Sequence, residues 1–92
     1  RSEGQHNYGA FDGDKLIGVL SINEFGRVNM IWVDRKHRGK GIATSLLSNA
    51  AERLNLTKLG ASFPNNYALY GFYKKMGFEK EKIEQYEMYL PL

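Results

Sequence analysis

At 92 residues, with 13 basic and 10 acidic side chains and no cysteine, the chain has room for one small core and cannot form a disulfide or a thiolate metal site. Its net charge of +3 favours anionic partners in general and falls well short of a histone-like density. There is no apolar run of membrane-spanning length and no signal-like start, so the default setting is a reducing cytoplasm with no membrane partner.

Tyr8 to Phe11 and Lys15 to Ile22 read as antiparallel strands around Asp12-Gly13, a hairpin signal whose two turn positions both take positive φ. In the second strand Leu16, Leu20 and Ile22 share one face and Ile17 and Val19 the other, so both faces need a cover and a sheet sandwiched by helices is expected. Asn23 to Gly26 turns the chain into a third strand, Arg27 to Val33. From Gly41 to Leu56 the apolar period becomes helical, with Ala43, Leu46, Leu47, Ala50, Ala51 and Leu54 on one stripe. Lys58 to Phe63 reads as a fourth strand. Pro64 with Asn65 or Asn66 opens a second helix, which carries Ala68, Leu69, Phe72, Tyr73 and Met76 on one face and stops at Gly77 as C′. Phe78 to Leu90 supplies one or two closing strands. The order β-β-β-α-β-α-β(β) describes a single α/β (α+β) domain over residues 1–92, with residues 1–7 as a tail or remnant.

The chemistry concentrates in His37-Arg38-Gly39-Lys40-Gly41-Ile42-Ala43, between the third strand and the first helix. A helix N-terminus leaves its first amides without intrahelical partners and carries a positive dipole end, glycines let a ligand approach, and Arg38 and Lys40 add charge. Together they suit a phosphate or pyrophosphate. The stretch is neither a Walker loop nor the G-x-G-x-x-G fingerprint. A solvated turn and a nucleic-acid grip by Arg35, Lys36, His37, Arg38 and Lys40 with Trp32 are the competing readings.

Val33 to Ala43 resembles the coenzyme A motif of the GNAT superfamily of N-acetyltransferases, [R/Q]-x-x-G-x-[G/A], through Arg38, Gly41 and Ala43. A second block follows: Asn65, Ala68, Phe72, Tyr73 and the run to Gly77-Phe78 is similar to the family's Asn…Ala…Tyr-x-x-x-Gly-Phe segment. The resemblance implies a GNAT-like mixed, largely antiparallel sheet flanked by helices, with acetyl-CoA as cosubstrate where two parallel strands splay apart. It further implies that backbone groups of Ile31, Trp32 and Val33 hold the pantetheine arm, and that Arg38, Gly39, Lys40, Gly41, Ile42, Ala43 and Thr44 hold the pyrophosphate. Asn65 would lie near the pantetheine or the acceptor, and Tyr73 would be the acid that protonates the leaving sulfur; no metal is involved.

The activity implied is acetyl transfer to a primary amine of a small molecule or protein by direct attack on the thioester. Glu24, Asp34 and His37 offer no convincing general base, and Tyr67 and Tyr70 read as packing or rim residues. From spacing alone, Tyr73 is a half-buried core tyrosine and Asn65 a plain cap. The family's usual first strand and helices have no counterpart in residues 1–7, which leaves a minimal transferase, a fragment or a protomer completed by a partner chain, with a homodimer through an unpaired edge as one form. A catalytically silent acyl-CoA-binding module and a nucleic-acid-binding module are the alternatives, the latter ranked well below.

Overall fold

The computed structural model describes residues 4–64 and 66–92. The chain runs β1 (Gln5–Asp12), β2 (Lys15–Asn23), β3 (Val28–Val33), a short 3-10 turn (Arg35–His37), α1 (Ile42–Arg53), β4 (Lys58–Ser62), α2 (Tyr67–Lys75), β5 (Glu79–Lys80) and β6 (Glu87–Pro91). Two three-stranded antiparallel sheets result, β1-β2-β3 and β4-β6-β5. This is the expected mixed α/β order with two closing strands.

The hairpin turn differs by one residue from the reading of the sequence. Asp12 still pairs, with Lys15, so Gly13 and Asp14 make the turn, and of these only Gly13 has positive φ, at 63°. A glycine in first position is what a II′ hairpin turn asks for. The expected alternation in β2 also fails at one place. The pairing steps from Ala10↔Gly18 to Phe11↔Leu16, and this irregularity leaves Ile17 without a partner across the hairpin. Beyond it Leu16 comes within 3.1 Å of the place where a Cβ on Gly9 would sit. Gly9 is opposite Val19, so Leu16 stands with Val19 and not with Leu20.

Both helices stop with the same device. After α1, Asn55 takes φ 56°, Asn55 N–H donates to Glu52 O and Leu56 N–H to Ala51 O. After α2, Gly77 takes φ 99°, Gly77 N–H donates to Lys74 O and Phe78 N–H to Tyr73 O. These are Schellman stops, and they explain why α1 ends before the expected Leu56. Asparagine, like glycine, tolerates the left-handed conformation at C′.

One core joins the two sheets and both helices: Leu20, Ile22 and Val28 from the first sheet, Leu46, Leu47, Ala50 and Ala51 from α1, Tyr73 from α2, and Leu59, Ala61 and Met88 from the second sheet. A Cβ on Gly18 would touch Ile42 and Leu46, which identifies the face that α1 covers. Both helices therefore lie on one side. The sandwich expected from β2 is not formed, and the opposite face leaves Met30 48% and Trp32 41% exposed. Among the described residues no helix is long and apolar enough to cross a membrane.

Candidate active site

β3 and β4 are the parallel neighbours that join the two sheets, and they touch at one bridge, Arg27↔Gly60, where Gly60 N–H donates to Gly26 O at 2.8 Å. Gly26 is required there: its φ is 88° and a Cβ would sit 2.8 Å from Lys58 O. Asn23 holds the preceding turn, its Oδ1 accepting from the amides of Phe25 and Arg27. Immediately beyond, β3 carries a bulge, because Ser21 pairs with Met30 and Ile22 with Val28 while Asn29 is left over. A bulge bends and twists its strand, and here the two parallel strands separate. A bidentate ion pair spans the closed end, Arg27 Nη1 and Nη2 lying 2.6 and 2.8 Å from Glu87 Oε1 and Oε2.

The split leaves main-chain groups without a strand partner. Asp34 N–H donates to Ile17 O, and in the same register Trp32 faces Val19 and Met30 faces Ser21. Antiparallel pairing alternates, so Trp32 spends its amide and carbonyl on β2 while Ile31 and Val33 turn theirs into the gap. The Val33 carbonyl already accepts from Arg38 Nε at 3.0 Å.

Two adjoining cavities occupy the gap and share Val33, Arg38 and Phe72. One, of about 400 Å³, is lined by the loop and the start of α1 (His37, Gly39, Gly41, Ala43, Thr44) and faced by Lys75 and Met76 of α2. The other, of about 330 Å³, lies between Ile31 and Trp32 on β3 and Asn66, Ala68 and Leu69 at the start of α2. Together they form a groove with a basic, amide-rich mouth and apolar walls. Gly39 and Gly41 have φ values of 78° and 81°, and nothing stands within 4 Å of a Cβ on either. Gly41 is the N-cap of α1 and has no side chain to cap with, and Ser45 N–H makes the first bond back to Gly41 O. The amides of Ile42, Ala43 and Thr44 are thus without intrahelical partners at the mouth of the groove.

Most of the residues singled out in the sequence meet here: Ile31, Trp32, Val33, Arg38, Gly39, Gly41, Ile42, Ala43 and Thr44 all line the groove. Three do not. Lys40 lines a separate cavity of about 410 Å³ with Phe11, Ser45 and Asn49. Tyr73 is 4% exposed, its ring centroid 4.9 Å from that of Phe78, and it lines neither cavity. Burial pushes its hydroxyl pKa up, and the nearby Arg27 pulls it the other way. Asn65 falls outside the described residues; Asn66 is the cap of α2, its Oδ1 accepting from Leu69 N–H, and lies at the groove.

Sequence reasoning missed Lys75, Phe72 as a wall, and the Arg27–Glu87 pair. Lys75 stands in the last turn of α2, where a cation reads as a helix-dipole partner. Arg27 and Glu87 are 60 residues apart and no sequence signal joins them. Among the described residues no group of three or more histidine or acidic side chains is placed to hold a metal ion.

The sequence matches the profile of the acetyltransferase (GNAT) domain over residues 3–80. The chain belongs to the GNAT acetyltransferase family. Solved structures of similar fold include a PaiA N-acetyltransferase from Thermoplasma acidophilum in complex with coenzyme A (TM-score 0.78, 19% identity, covering 97% of this chain and 62% of that one). A Bacillus anthracis acetyltransferase in complex with acetyl coenzyme A has TM-score 0.78 and 22% identity, covering 99% of this chain and 64% of that one. The ribosomal-protein-S18-alanine N-acetyltransferase of Escherichia coli has TM-score 0.73 and 18% identity, covering 99% and 71%. This GNAT chain thus spans less than two thirds of the length of the first two. No functionally curated protein matches it significantly.

Proposed function

We propose that this GNAT domain binds acetyl-CoA in the groove between β3 and α2 and transfers the acetyl group to a primary amine of a small molecule or protein. The observation that carries the reading is the uncapped start of α1. Three unpartnered amides, two left-handed glycines and Arg38 surround one mouth, suited to a diphosphate. The pantetheine arm would run along β3 as an added strand, hydrogen-bonded to the free main chain of Ile31 and Val33. Arg38 would then exchange the Val33 carbonyl for phosphate oxygens.

The amine nitrogen attacks the thioester carbon, and the carbonyl oxygen gains negative charge, which the Ile31 or Val33 amide can receive. Collapse restores the carbonyl, breaks the C–S bond and releases a thiolate. Tyr73 would protonate it if its hydroxyl, which lines neither cavity, reaches the sulfur; burial keeps that hydroxyl in the protonated form that an acid needs. The attacking amine loses its proton to water. A second copy is part of this reading, because β1 is a long edge strand of 8 residues open on one side.

One observation favours a second reading, an acyl-CoA-binding module without turnover: the ring of Tyr73 is fully accounted for by its packing on Phe78 at the helix stop. Calorimetry tests the shared part. Coenzyme A should bind saturably, and Arg38→Ala or Gly41→Ala should weaken it about tenfold or more, in line with the loss of charge-assisted hydrogen bonds. A wild-type chain giving no heat refutes both readings.

A further inference from the structure

The loop at the groove mouth is tied to the distant β1–β2 hairpin by one side chain. His37, directly before Arg38, has Nδ1 2.9 Å from Asp34 Oδ2 and Nε2 3.4 Å from Asp12 Oδ2. The imidazole is 18% exposed and Asp12 72%, so a largely enclosed ring reaches out to a surface carboxylate. Asp34 is held below the usual carboxylate range, chiefly by its hydrogen bond to His37. A protonated imidazole has an N–H for each carboxylate, whereas the neutral ring has one donor for the two.

Apart from the bond of Arg38 Nε to Val33 O at 3.0 Å, few hydrogen bonds fix this stretch. His37 N–H donates to Asp34 O at 2.9 Å and Arg38 N–H to Arg35 O at a long 3.4 Å. Gly39, Lys40 and Gly41 follow, all exposed. A segment so loosely held loses conformational freedom when it closes on a ligand, and any contact that pre-sets it lowers that cost.

We propose that His37 is a positioning residue for the coenzyme loop and that Asp12 is its anchor. The Asp12–His37–Asp34 bridge fixes the turn from which Arg38 and the loop amides are aimed. A hairpin-tip residue that lines neither cavity of the groove thereby sets affinity for coenzyme A. The inference rests on the coenzyme-binding reading above. It also opposes simple electrostatics: a carboxylate near a diphosphate seat repels the ligand, so by charge alone its removal should tighten binding. The bridge predicts the reverse.

The experiment compares Asp12→Ala with Asp14→Ala, which removes the same charge from an exposed neighbour in the same turn. Coenzyme A affinity is measured by calorimetry, and loop amides are followed by 15N–1H spectra without ligand. Asp12→Ala should raise Kd about two- to fivefold, the range of an exposed ion pair. Asp14→Ala should leave Kd unchanged or lower it, and Asp12→Glu should recover most of the loss. His37→Ala should raise Kd as well and abolish any further effect of Asp12→Ala, since the two act as one unit. The proposal is overturned if Asp12→Ala behaves like Asp14→Ala, or keeps its full effect in the His37→Ala background. If the wild-type chain binds no coenzyme A, the parent reading fails by itself. The bridge is then decided by whether the Gly39 and Gly41 signals move in Asp12→Ala and stay in Asp14→Ala.

Discussion

Tyr73 carries two explanations at once. Its carbonyl accepts from Phe78 N–H in the Schellman stop that Gly77 makes, and its ring packs on Phe78, so the Tyr-x-x-x-Gly-Phe spacing has a purely structural reason. Its hydroxyl, buried and near Arg27, has the protonation state an acid requires. Tyr73→Phe separates the two, because it keeps the ring and removes the proton. If Tyr73 is the acid, coenzyme A affinity holds within about twofold while thiol release over an amine panel falls about a hundredfold; unchanged release leaves only the structural role. The pH dependence follows from the raised pKa. The stabilisation from burying the neutral hydroxyl is intact below the unfolded tyrosine value of about 10 and is lost as pH rises through the higher folded value. Melting temperature should therefore fall more steeply above pH about 10 in the wild type than in Tyr73→Phe.

At the scale of elements, the groove exists because a bulge at Asn29 turns β3 away from β4 while the bridge from Arg27, just before β3, to Gly60 in the middle of β4 holds the two chains together. The Arg27–Glu87 pair reinforces that closed end, and the hydrogen bonds to Glu87 are the main reason the guanidinium pKa is raised. Arg27 is 45% exposed and Glu87 26%, so screening limits its worth. Arg27→Ala should lower stability by about 0.5–1 kcal/mol in urea titrations, with the fold retained in circular dichroism. It should also extend the alkaline loss of stability to higher pH from the same onset, since Arg27 lowers the Tyr73 pKa that burial raises. An alkaline limb that stays put in Arg27→Ala would show that the two groups do not sense each other.

Across the whole molecule the helices crowd one face and leave the other bare. The bare face presents Met30 and Trp32, and β1 adds an unpaired edge. Apolar surface beside open backbone donors is a common basis for self-association. Sedimentation velocity over a hundredfold concentration range should show a reversible shift toward twice the monomer mass, and Trp32→Lys should suppress it. A single monomeric species throughout would remove the second copy from the proposed function.

The alternation of β3, the helical period from Ala43 to Leu54 and the glycines around Lys40 are local signals, and they were enough to read the element order; the family was legible through the motif residues Arg38, Gly41 and Ala43 and the run from Tyr73 to Phe78. Local signals carry because strand pleat, helix period and left-handed glycine depend on neighbours within a few positions. They failed where a single residue alters register, as at Ile17, where Leu16 changes face. The same limit applies to Asn65 and Asn66, since adjacent asparagines can each cap a helix and only the folded chain selects Asn66. What tertiary structure alone decided is long-range. It packed both helices on one side, joined Arg27 to Glu87, turned Lys40 out of the groove and brought Asp12 to His37. Such contacts form between positions far apart in the chain, where close approach depends on how whole sheets and helices stack and leaves no trace in periodicity or spacing.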